Sequence, residues 1–446
     1  MSTFTHHRGG IAAAILASLG LALTVSAPEQ GAIQPSPSQG PVAHEYIVHW
    51  PAGTAAALAD LDGVTVLSTP GADELAKLGA FVVAVDSPDA IADIMRAGAE
   101  YVEPNARLTG QGISPATGAA LDPLLAQQWQ HATVGTAAAW RSSTGAGVKV
   151  AVVDSGVGPH PDIPVQGGAD FTGVGGGYGD LFGHGTHVAG ICCARADNGL
   201  GGAGVAPSAV VLAVRVLGDD GSGSLDAIAA GIVWAADQGA RVVNLSLGGP
   251  SGTRALQEAL QYAVAHGALP VCAAGNDGST RPSYPAAFDE CLSVAASGPT
   301  DGPAPFTNRH ASIDIAAPGV DILSACRGST HCRMSGTSMS APVVGGVAAL
   351  VAALSPMSPA SLSWRLRSTA ASRPNLPSGR RVDAAAALAV RPSALPQPPT
   401  LAPRPTPPAT AYPLPTAAPT QGVRIVPVPI PPGCRIVLIC DPGAAP

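Results

Sequence analysis

The stretch Val148-Lys-Val-Ala-Val-Val-Asp154-Ser-Gly156 decides the fold class. Its nearly continuous run of valine and alanine predicts a strand buried on both faces, as in a parallel sheet covered by helices. The strand ends in an acid followed by a small, turn-forming pair. Because sites in open α/β sheets lie at the carboxyl ends of strands, Asp154 is a candidate functional residue. Taken alone, such an acid is more often a helix cap or a turn residue.

The same pattern repeats over the larger part of the chain. Further apolar runs predict strands at residues 210–216, 242–247, 268–273 and 292–295, and alanine-rich helical stretches lie between them. Alternation of this kind predicts an α/β fold, with a parallel sheet flanked by helices on both faces. We assign residues 116–390 to this domain.

A smaller module precedes it at residues 43–109. Strands are expected at residues 44–50, 64–68, 80–86 and 101–108, and helices at 54–61 and 88–98, with Ser87 as an N-cap. This strand–helix–strand–strand–helix–strand order predicts a small ferredoxin-like α+β fold. A stretch rich in proline, serine, glutamine and glycine leads into it, so linker and module together occupy residues 28–115.

The two ends of the chain differ from both domains. Residues 1–27 contain an apolar run that ends in Val25-Ser26-Ala27, which is typical of a signal peptide. Residues 391–446 are rich in proline and predict an extended tail, whose role as spacer, partner ligand or removed segment stays open. No later stretch is long and apolar enough to span a bilayer. We expect a secreted protein with no transmembrane span in its mature form; association with the cell envelope is left open.

Composition and cysteine content limit the choice of partners and compartment. The 446 residues include only 12% charged ones and carry a formal charge of −7, whereas nucleic-acid-binding proteins normally show a basic face. Eight cysteines fit disulfides formed in an oxidising compartment. Spacing favours two small loops, Cys326 with Cys332 and Cys434 with Cys440. Adjacent Cys192 and Cys193 are expected to have separate partners, because neighbouring cysteines bond to each other only with strain.

The segment Gly183-His184-Gly-Thr-His187-Val-Ala-Gly190 places a histidine between glycines at a helix start. A neutral imidazole is the usual general base for activating a hydroxyl near neutral pH, so His184 is a candidate base. Two histidines could also bind a metal, but a zincin helix needs them four residues apart with an intervening glutamate. We therefore expect His187 to pack beneath His184 as a structural residue.

The segment Ser335-Gly-Thr-Ser338-Met-Ser-Ala-Pro342 leads into an apolar helix. Pro342 suits an early helical turn, which places Ser338 near the helix N-terminus, where N–H groups can stabilise an oxyanion. For an isolated serine, simple capping by Ser338 or Ser340 would be the better explanation. A further strand ends in Val271-Cys-Ala-Ala-Gly-Asn276, whose side-chain amide could donate a second hydrogen bond to the oxyanion.

Together these motifs resemble the subtilisin-like serine proteases (the subtilases, peptidase family S8). The order Asp, His, Ser along the chain separates subtilisins from chymotrypsin-like enzymes and α/β-hydrolases. The resemblance covers about residues 121–390. One departure is Ser155, where the family usually has threonine after its aspartate.

The resemblance implies a serine endopeptidase that needs no cofactor for its chemistry. Ser338 would be the nucleophile and His184 the general base and then the general acid. Asp154 would orient His184, and Asn276 would complete the oxyanion hole. The alternative is a catalytically silent relative that acts as an envelope binding or scaffold protein.

The resemblance also locates a groove for a protein or peptide substrate. Two edge segments are implied to pair with an extended peptide: Gly221, Ser222 and Gly223, and Ser246, Leu247 and Gly248. The implied pocket walls contain no charge: Leu247, Gly248, Ala274, Gly275 and Ser283. We therefore expect a neutral or apolar residue before the scissile bond.

Two further features of the family have counterparts in this chain. Residues 43–109 resemble the subtilase propeptide, particularly Tyr101-Val-Glu-Pro-Asn105, which implies an intramolecular inhibitor removed by cleavage between about Leu108 and Leu121. An unrelated α+β domain is the alternative. His160-Pro-Asp162 and Asp197-Asn-Gly-Leu200 fall where many members bind a structural calcium. Turn residues satisfied by backbone bonds are an equally good explanation of both segments.

Overall fold

The computed structural model describes residues 41–50, 55–110, 113–116 and 124–389. The predicted signal peptide, most of the linker, the proline-rich tail, and Cys434 and Cys440 lie outside the described residues. The N-terminal module, residues 41–110, contains β1 (Pro41–His49), α1 (Ala55–Ala59), β2 (Val64–Val66), α2 (Ala72–Ala76), β3 (Ala80–Val85), α3 (Pro88–Arg96) and β4 (Tyr101–Gly110).

The strands of the N-terminal module pair in the order β4-β1-β3-β2, and every neighbouring pair is antiparallel. Ser87 accepts a hydrogen bond from Ala90 N at 3.4 Å, so it caps α3 as its sequence position indicates. Helix α2 has no counterpart in the sequence prediction. It is only five residues long, too short to show a helical period, and its Leu75 is buried.

The large module, residues 124–389, follows a short connecting strand, β5 (Ile113–Ala116). Its strands are β6 (Lys149–Asp154), β7 (Val165–Asp170), β8 (Val210–Arg215), β9 (Ser222–Ser224), β10 (Val242–Leu245), β11 (Leu247–Gly248), β12 (Leu269–Ala273), β13 (Leu292–Ser297), β14 (Ile315–Pro318), β15 (Ile322–Cys326), β16 (Thr330–Ser335), β17 (Ala371–Ser372) and β18 (Arg380–Arg381). Its helices are α4 (Trp129–Val134), α5 (Thr136–Ala139), α6 (His184–Cys193), α7 (Leu225–Asp237), α8 (Arg254–Ala265), α9 (Thr337–Ala352), α10 (Pro359–Ser368) and α11 (Ala384–Ala389).

A nine-stranded sheet organises the large module. Within residues 124–389, its strands lie in the order β17-β18-β14-β13-β12-β10-β6-β8-β7, and each pair except β17 with β18 is parallel. Val150 and Val152 of β6 pack in one buried cluster with α6 and α9. Ala151 and Val153 pack in a second cluster with α7 and α8. Because both faces of β6 are covered, the predicted parallel sheet flanked by helices is confirmed.

The N-terminal module packs on α7 of the large module. Ile47 and Leu75 belong to the same buried cluster as Leu225 and Ile228. Gly71, at the start of α2, has a φ of +92°, and a Cβ there would lie only 2.4 Å from Ala230 Cβ. Glycine is therefore required for this approach, because a larger residue would separate the two helices.

The disulfides agree in part with the sequence prediction. The structure contains Cys326–Cys332, as the spacing indicated, and it also joins Cys272 to Cys291. Cys192 and Cys193 are bonded to each other, so the expectation of separate partners was wrong. Both lie in buried α6, and the other described cysteines are already paired with one another.

None of the helices built from the described residues has the length and apolar character needed to cross a bilayer.

Candidate active site

A buried aspartate–histidine pair lies at the carboxyl edge of the sheet. Asp154 ends β6 and His184 begins α6, and Nδ1 of the imidazole lies 2.8 Å from Oδ1 and 3.0 Å from Oδ2 of the carboxylate. Glycines permit this approach. Gly183 has a φ of +101°, and a Cβ on Gly185 would lie 2.1 Å from the carbonyl oxygen of Gly156.

The surroundings of the pair make the imidazole of His184 easier to protonate. Burial alone lowers the pKa of His184, but the charge and hydrogen bond of Asp154, with a smaller contribution from Asp180, raise that pKa above its usual value. Nδ1 faces an acceptor and therefore carries the hydrogen. Nε2 is buried without a hydrogen-bond partner among the described residues, so its lone pair is available to accept a proton.

Ser338 lies in the first turn of α9, against a break between two strands. Its Oγ donates to the carbonyl oxygen of Ser246 at 3.0 Å, and Ser246 Oγ donates to the carbonyl oxygen of Ser338 at 2.8 Å. Ser246 separates β10 from β11, which the sequence had predicted as one strand. The reciprocal bonds therefore fix the start of α9 at the end of β10.

Asn276 is held in one orientation beside Ser338. Its Oδ1 accepts hydrogen bonds from Thr337 N at 2.8 Å and Thr337 Oγ1 at 3.0 Å. Gly275 N in turn donates to Thr337 Oγ1 at 3.1 Å. Because Oδ1 is bound to the start of α9, the amide Nδ2 lies on the opposite branch of the side chain. Thr337 orients the amide, and the sequence did not single it out.

Asp180 is a second buried carboxylate that sequence reasoning missed. It accepts hydrogen bonds from Gly183 N at 2.6 Å, Ser155 Oγ at 2.9 Å, Thr186 N at 2.8 Å and Thr186 Oγ1 at 2.5 Å. Burial raises its pKa despite these donors. Ser155 Oγ also accepts from Gly185 N at 2.9 Å, a bond that a threonine hydroxyl could equally make. An acid just before a helix start is a capping signal that could have revealed Asp180.

The edge segments β9 and β11 hold a strand of the same chain between them. Against β9, Leu108 of β4 lies opposite Gly223 and Thr109 lies opposite Ser222. Against β11, Thr109 lies opposite Gly248 and Gly110 lies opposite Leu247. Gly221 precedes β9 in a turn closed by its N–H bond to the carbonyl oxygen of Gly218. Beyond the gap at residues 111–112, β5 pairs with β16, with Ile113 opposite Ser335.

The predicted pocket segment Ala274-Gly275 is buttressed by a loop that the sequence did not indicate. Asn308 Nδ2 donates to the carbonyl oxygen of Ala274 at 3.0 Å, and His310 Nε2 lies 3.2 Å from the same oxygen. Gly275 has a φ of +102°, and a Cβ there would lie 2.3 Å from Asn308 Nδ2. Ser283 is buried, with Oγ 3.5 Å from the carbonyl oxygen of Gly249.

The suggested calcium segments converge on Asp162. Asn198 Nδ2 donates to Asp162 Oδ1 at 2.7 Å, whereas the buried Oδ2 has no hydrogen bond to any described residue. An orphaned carboxylate oxygen of this kind fits a hard cation. His160 does not fit, because its ring nitrogens lie 3.3 Å from Asp162 N and 3.2 Å from the carbonyl oxygen of Thr330. The same Oδ2 lies 4.0 Å from His331 Nε2, which would compete with a cation when protonated.

A parallel sheet with an Asp–His pair at its carboxyl edge, and a serine at a helix N-terminus beside a side-chain amide, defines a hydrolase of the serine type. Residues 145–388, more than half of the chain, match the model of the subtilase family, Peptidase_S8. The chain belongs to this family and is a serine endopeptidase.

The chain is also similar to individual relatives of this family. It is 46% identical to Subtilisin BL of Lederbergia lenta over 47% of this chain and 78% of that protein. It is 47% identical to thermitase of Thermoactinomyces vulgaris over 48% of this chain and 78% of that protein. The solved structure of fervidolysin from Fervidobacterium pennivorans, a keratinolytic enzyme related to subtilisin, is 27% identical and covers 80% of this chain and 62% of its own, with a TM-score of 0.69.

Replacing Asp180 should damage both stability and the charge balance at His184. Asp180→Asn places an amide donor against donors from Gly183 and Thr186, so we expect a loss of about 2–3 kcal/mol in unfolding free energy. Since the Asp180 charge helps to raise the pKa of His184, the acid limb of the pH–activity profile should move to lower pH. Thermal unfolding and a pH–rate profile test this. Asp321→Asn, at an exposed position with a φ of 54°, is the matched control; equal behaviour of the two variants would contradict the assignment.

Proposed function

We propose that this subtilase is a secreted endopeptidase in which Ser338, His184 and Asp154 form the catalytic triad. The observation that supports the proposal most directly is the buried Asp154–His184 hydrogen bond, at 2.8 Å, beside a serine in the first turn of α9. The signal-like residues 1–27 and the disulfides support export to an oxidising compartment.

In the proposed reaction, Ser338 Oγ attacks the carbonyl carbon of the scissile peptide bond while His184 Nε2 takes its proton. Asp154 stabilises the imidazolium ion that results. The Ser338 N–H and Asn276 Nδ2 donate to the oxyanion of the tetrahedral intermediate. His184 then protonates the leaving amine, and water hydrolyses the acyl-enzyme by the same steps, with His184 again acting as base.

One contact must change before this reaction begins. Ser338 Oγ donates to the carbonyl oxygen of Ser246, and His184 Nε2 has no hydrogen bond among the described residues. The hydroxyl has to exchange the Ser246 oxygen for Nε2, because only the imidazole can take its proton. Catalytic hydrogen bonds that are long or absent in a resting enzyme commonly form in the substrate complex.

We propose that the N-terminal module is an intramolecular inhibitor. Strand β4 pairs with both groove edges, β9 and β11, which is how an extended substrate would bind. The contact extends beyond the groove. Glu103 accepts hydrogen bonds from Arg254 N at 2.8 Å and Ala255 N at 3.1 Å, so its carboxylate caps the positive end of α8. Asn105 Nδ2 donates to Asp226 Oδ1 at 2.9 Å beside the start of α7.

The strand pairings also narrow the proposed cleavage site. Gly110 lies opposite Leu247, next to Ser246, whose carbonyl oxygen contacts Ser338. Ile113 lies opposite Ser335, three residues before Ser338. The chain therefore reaches the nucleophile from one side at residue 110 and leaves it on the other at residue 113. We propose that self-cleavage falls between these two residues, within the interval expected from the sequence.

The test compares the wild-type full chain with Ser338→Ala. Wild type should shorten by itself to a product that begins at residue 111, 112 or 113, and react with a fluorophosphonate once the N-terminal module is released. Ser338→Ala should do neither. Intact mass, N-terminal sequencing and labelling report these events. A product that begins before residue 100, or self-shortening of the alanine variant, would contradict the proposal. If both chains fold, and wild type neither shortens nor labels after its N-terminal module is removed by an added protease, the silent binding-protein alternative is favoured.

Removing the Asn276 donor should slow turnover. Asn276→Ala and Asn276→Asp both lack Nδ2, and we expect each to lose about 10²–10³-fold in kcat, the loss known for the equivalent donor in a subtilisin. The aspartate variant retains an acceptor for Thr337, so it separates loss of the donor from loss of the orienting contact. Steady-state kinetics on a small peptide measure the effect. Turnover near that of wild type in either variant would exclude the oxyanion role.

We propose a structural calcium ion at Asp162, supported by the orphaned Oδ2. Bound there, calcium would neutralise the buried carboxylate. We expect a chelator to lower the melting temperature of the Ser338→Ala chain, and added calcium to restore it. A melting temperature insensitive to the chelator would rule this out and leave His331 as the partner of Asp162.

A further inference from the structure

The hairpin β15–β16 lies against α6 at a point directly behind the catalytic histidine. Its two cysteines, Cys326 and Cys332, are joined by a disulfide, and His187 lies one helical turn after His184. One ring nitrogen of His187 and the two cysteine sulfurs all lie within 4.8 Å of one another. Within the described residues, no other group of three histidine, cysteine or acidic side chains comes together in this way.

The imidazole of His187 has the form that binds a metal. Its Nε2 lies 3.1 Å from the carbonyl oxygen of Cys332, and since a carbonyl only accepts, Nε2 carries the hydrogen. Nδ1 therefore has the lone pair, and it has no hydrogen bond within the described part of the chain although the side chain is fully buried. A metal-binding histidine typically donates its other N–H to a carbonyl oxygen in the same way.

We propose that reduction of the Cys326–Cys332 disulfide creates a Cys2His site for a soft divalent metal ion such as Zn²⁺ or Cd²⁺. A phosphine reductant supplies the electron pair that breaks the S–S bond; with one water it yields the phosphine oxide and two thiols. The metal ion then displaces one proton from each thiol and binds two thiolates and the His187 lone pair. Water fills the remaining tetrahedral position.

The disulfide and the metal are alternative ways of closing the same hairpin. While Cys326 and Cys332 are bonded to each other they offer no thiolate, so the oxidised chain should not bind the metal. In the reduced chain the metal would join α6 to the hairpin through His187, a connection that the disulfide does not make. Since β16 also pairs with β5, with Ile113 opposite Ser335, the metal would bind to the same hairpin that holds β5.

The test uses the full Ser338→Ala chain, which avoids self-digestion, with Cys434→Ser and Cys440→Ser added so that reduction does not open a second pair of thiols in the tail. This chain is reduced with a water-soluble phosphine and titrated with Cd²⁺. We expect one ion per chain and a sulfur-to-cadmium charge-transfer band in the ultraviolet. The oxidised chain should give no band, and neither should the reduced chain that carries Cys326→Ser and Cys332→Ser. Loss of a residue that only supports a metal ligand weakens metal binding by roughly 10- to 100-fold. Because His187→Gln removes a direct ligand, it should weaken Cd²⁺ binding by at least that factor.

Circular dichroism confirms that each reduced chain is folded before titration. A folded, reduced chain without the band would overturn the proposal, as would a band that persists after both serine substitutions. X-ray absorption at the zinc edge, measured on the reduced Ser338→Ala chain with Zn²⁺ added, reports the ligand atoms directly. This result does not depend on the folding of His187→Gln. Two sulfur ligands with at least one nitrogen support the site; a sulfur-free shell, or four sulfurs, would contradict it.

Discussion

The hydrogen bond between Asp154 and His184 is the constraint on which the rest of the site depends. A carboxylate in the interior is tolerated only with partners, and removing one member of such a pair leaves an uncompensated buried charge. The end of β6 must therefore meet the start of α6 within hydrogen-bond distance. Gly185 allows this contact, and Asp180 holds the turn before α6 through the N–H groups of Gly183 and Thr186. The pairing thus determines the backbone around it.

The part of the site around Ser338 depends on a similar junction, where the end of β10 meets the start of α9. The strand stops at Ser246, whose backbone and side chain both bond to Ser338 at the start of α9. Thr337 bonds to Asn276, at the end of the segment that follows β12. Because neighbouring parallel strands end at the same edge, residues far apart in sequence become neighbours. The sheet therefore sets the distances between them.

The sequence predicted two parts of this arrangement: the buried strands, whose pattern recurs along the chain, and the site residues that lie close to glycines. The buried strands appear as apolar runs, and Asp154, His184 and Ser338 lie in motifs whose glycines mark tight turns. The supporting residues were not foreseen. Asp180, Thr337 and Asn308 act through bonds to backbone groups that only the folded chain brings near, and a lone polar residue in a loop gives no such signal. The bond between Cys192 and Cys193 was missed for a similar reason: which cysteines remain available becomes clear only once the others are paired.

The pairing of β4 with β9 and β11 gives the proposed release of the N-terminal module a consequence for the surface. That release would leave these two short segments as open sheet edges with unpaired N–H and carbonyl groups. Any extended chain can join such edges through its backbone, whatever its side chains, whereas a helix or a closed sheet presents no free strand. The proposed groove would therefore distinguish proteins by local unfolding before it distinguishes them by sequence. At three and two residues, the edges are also too short to favour association between enzyme molecules.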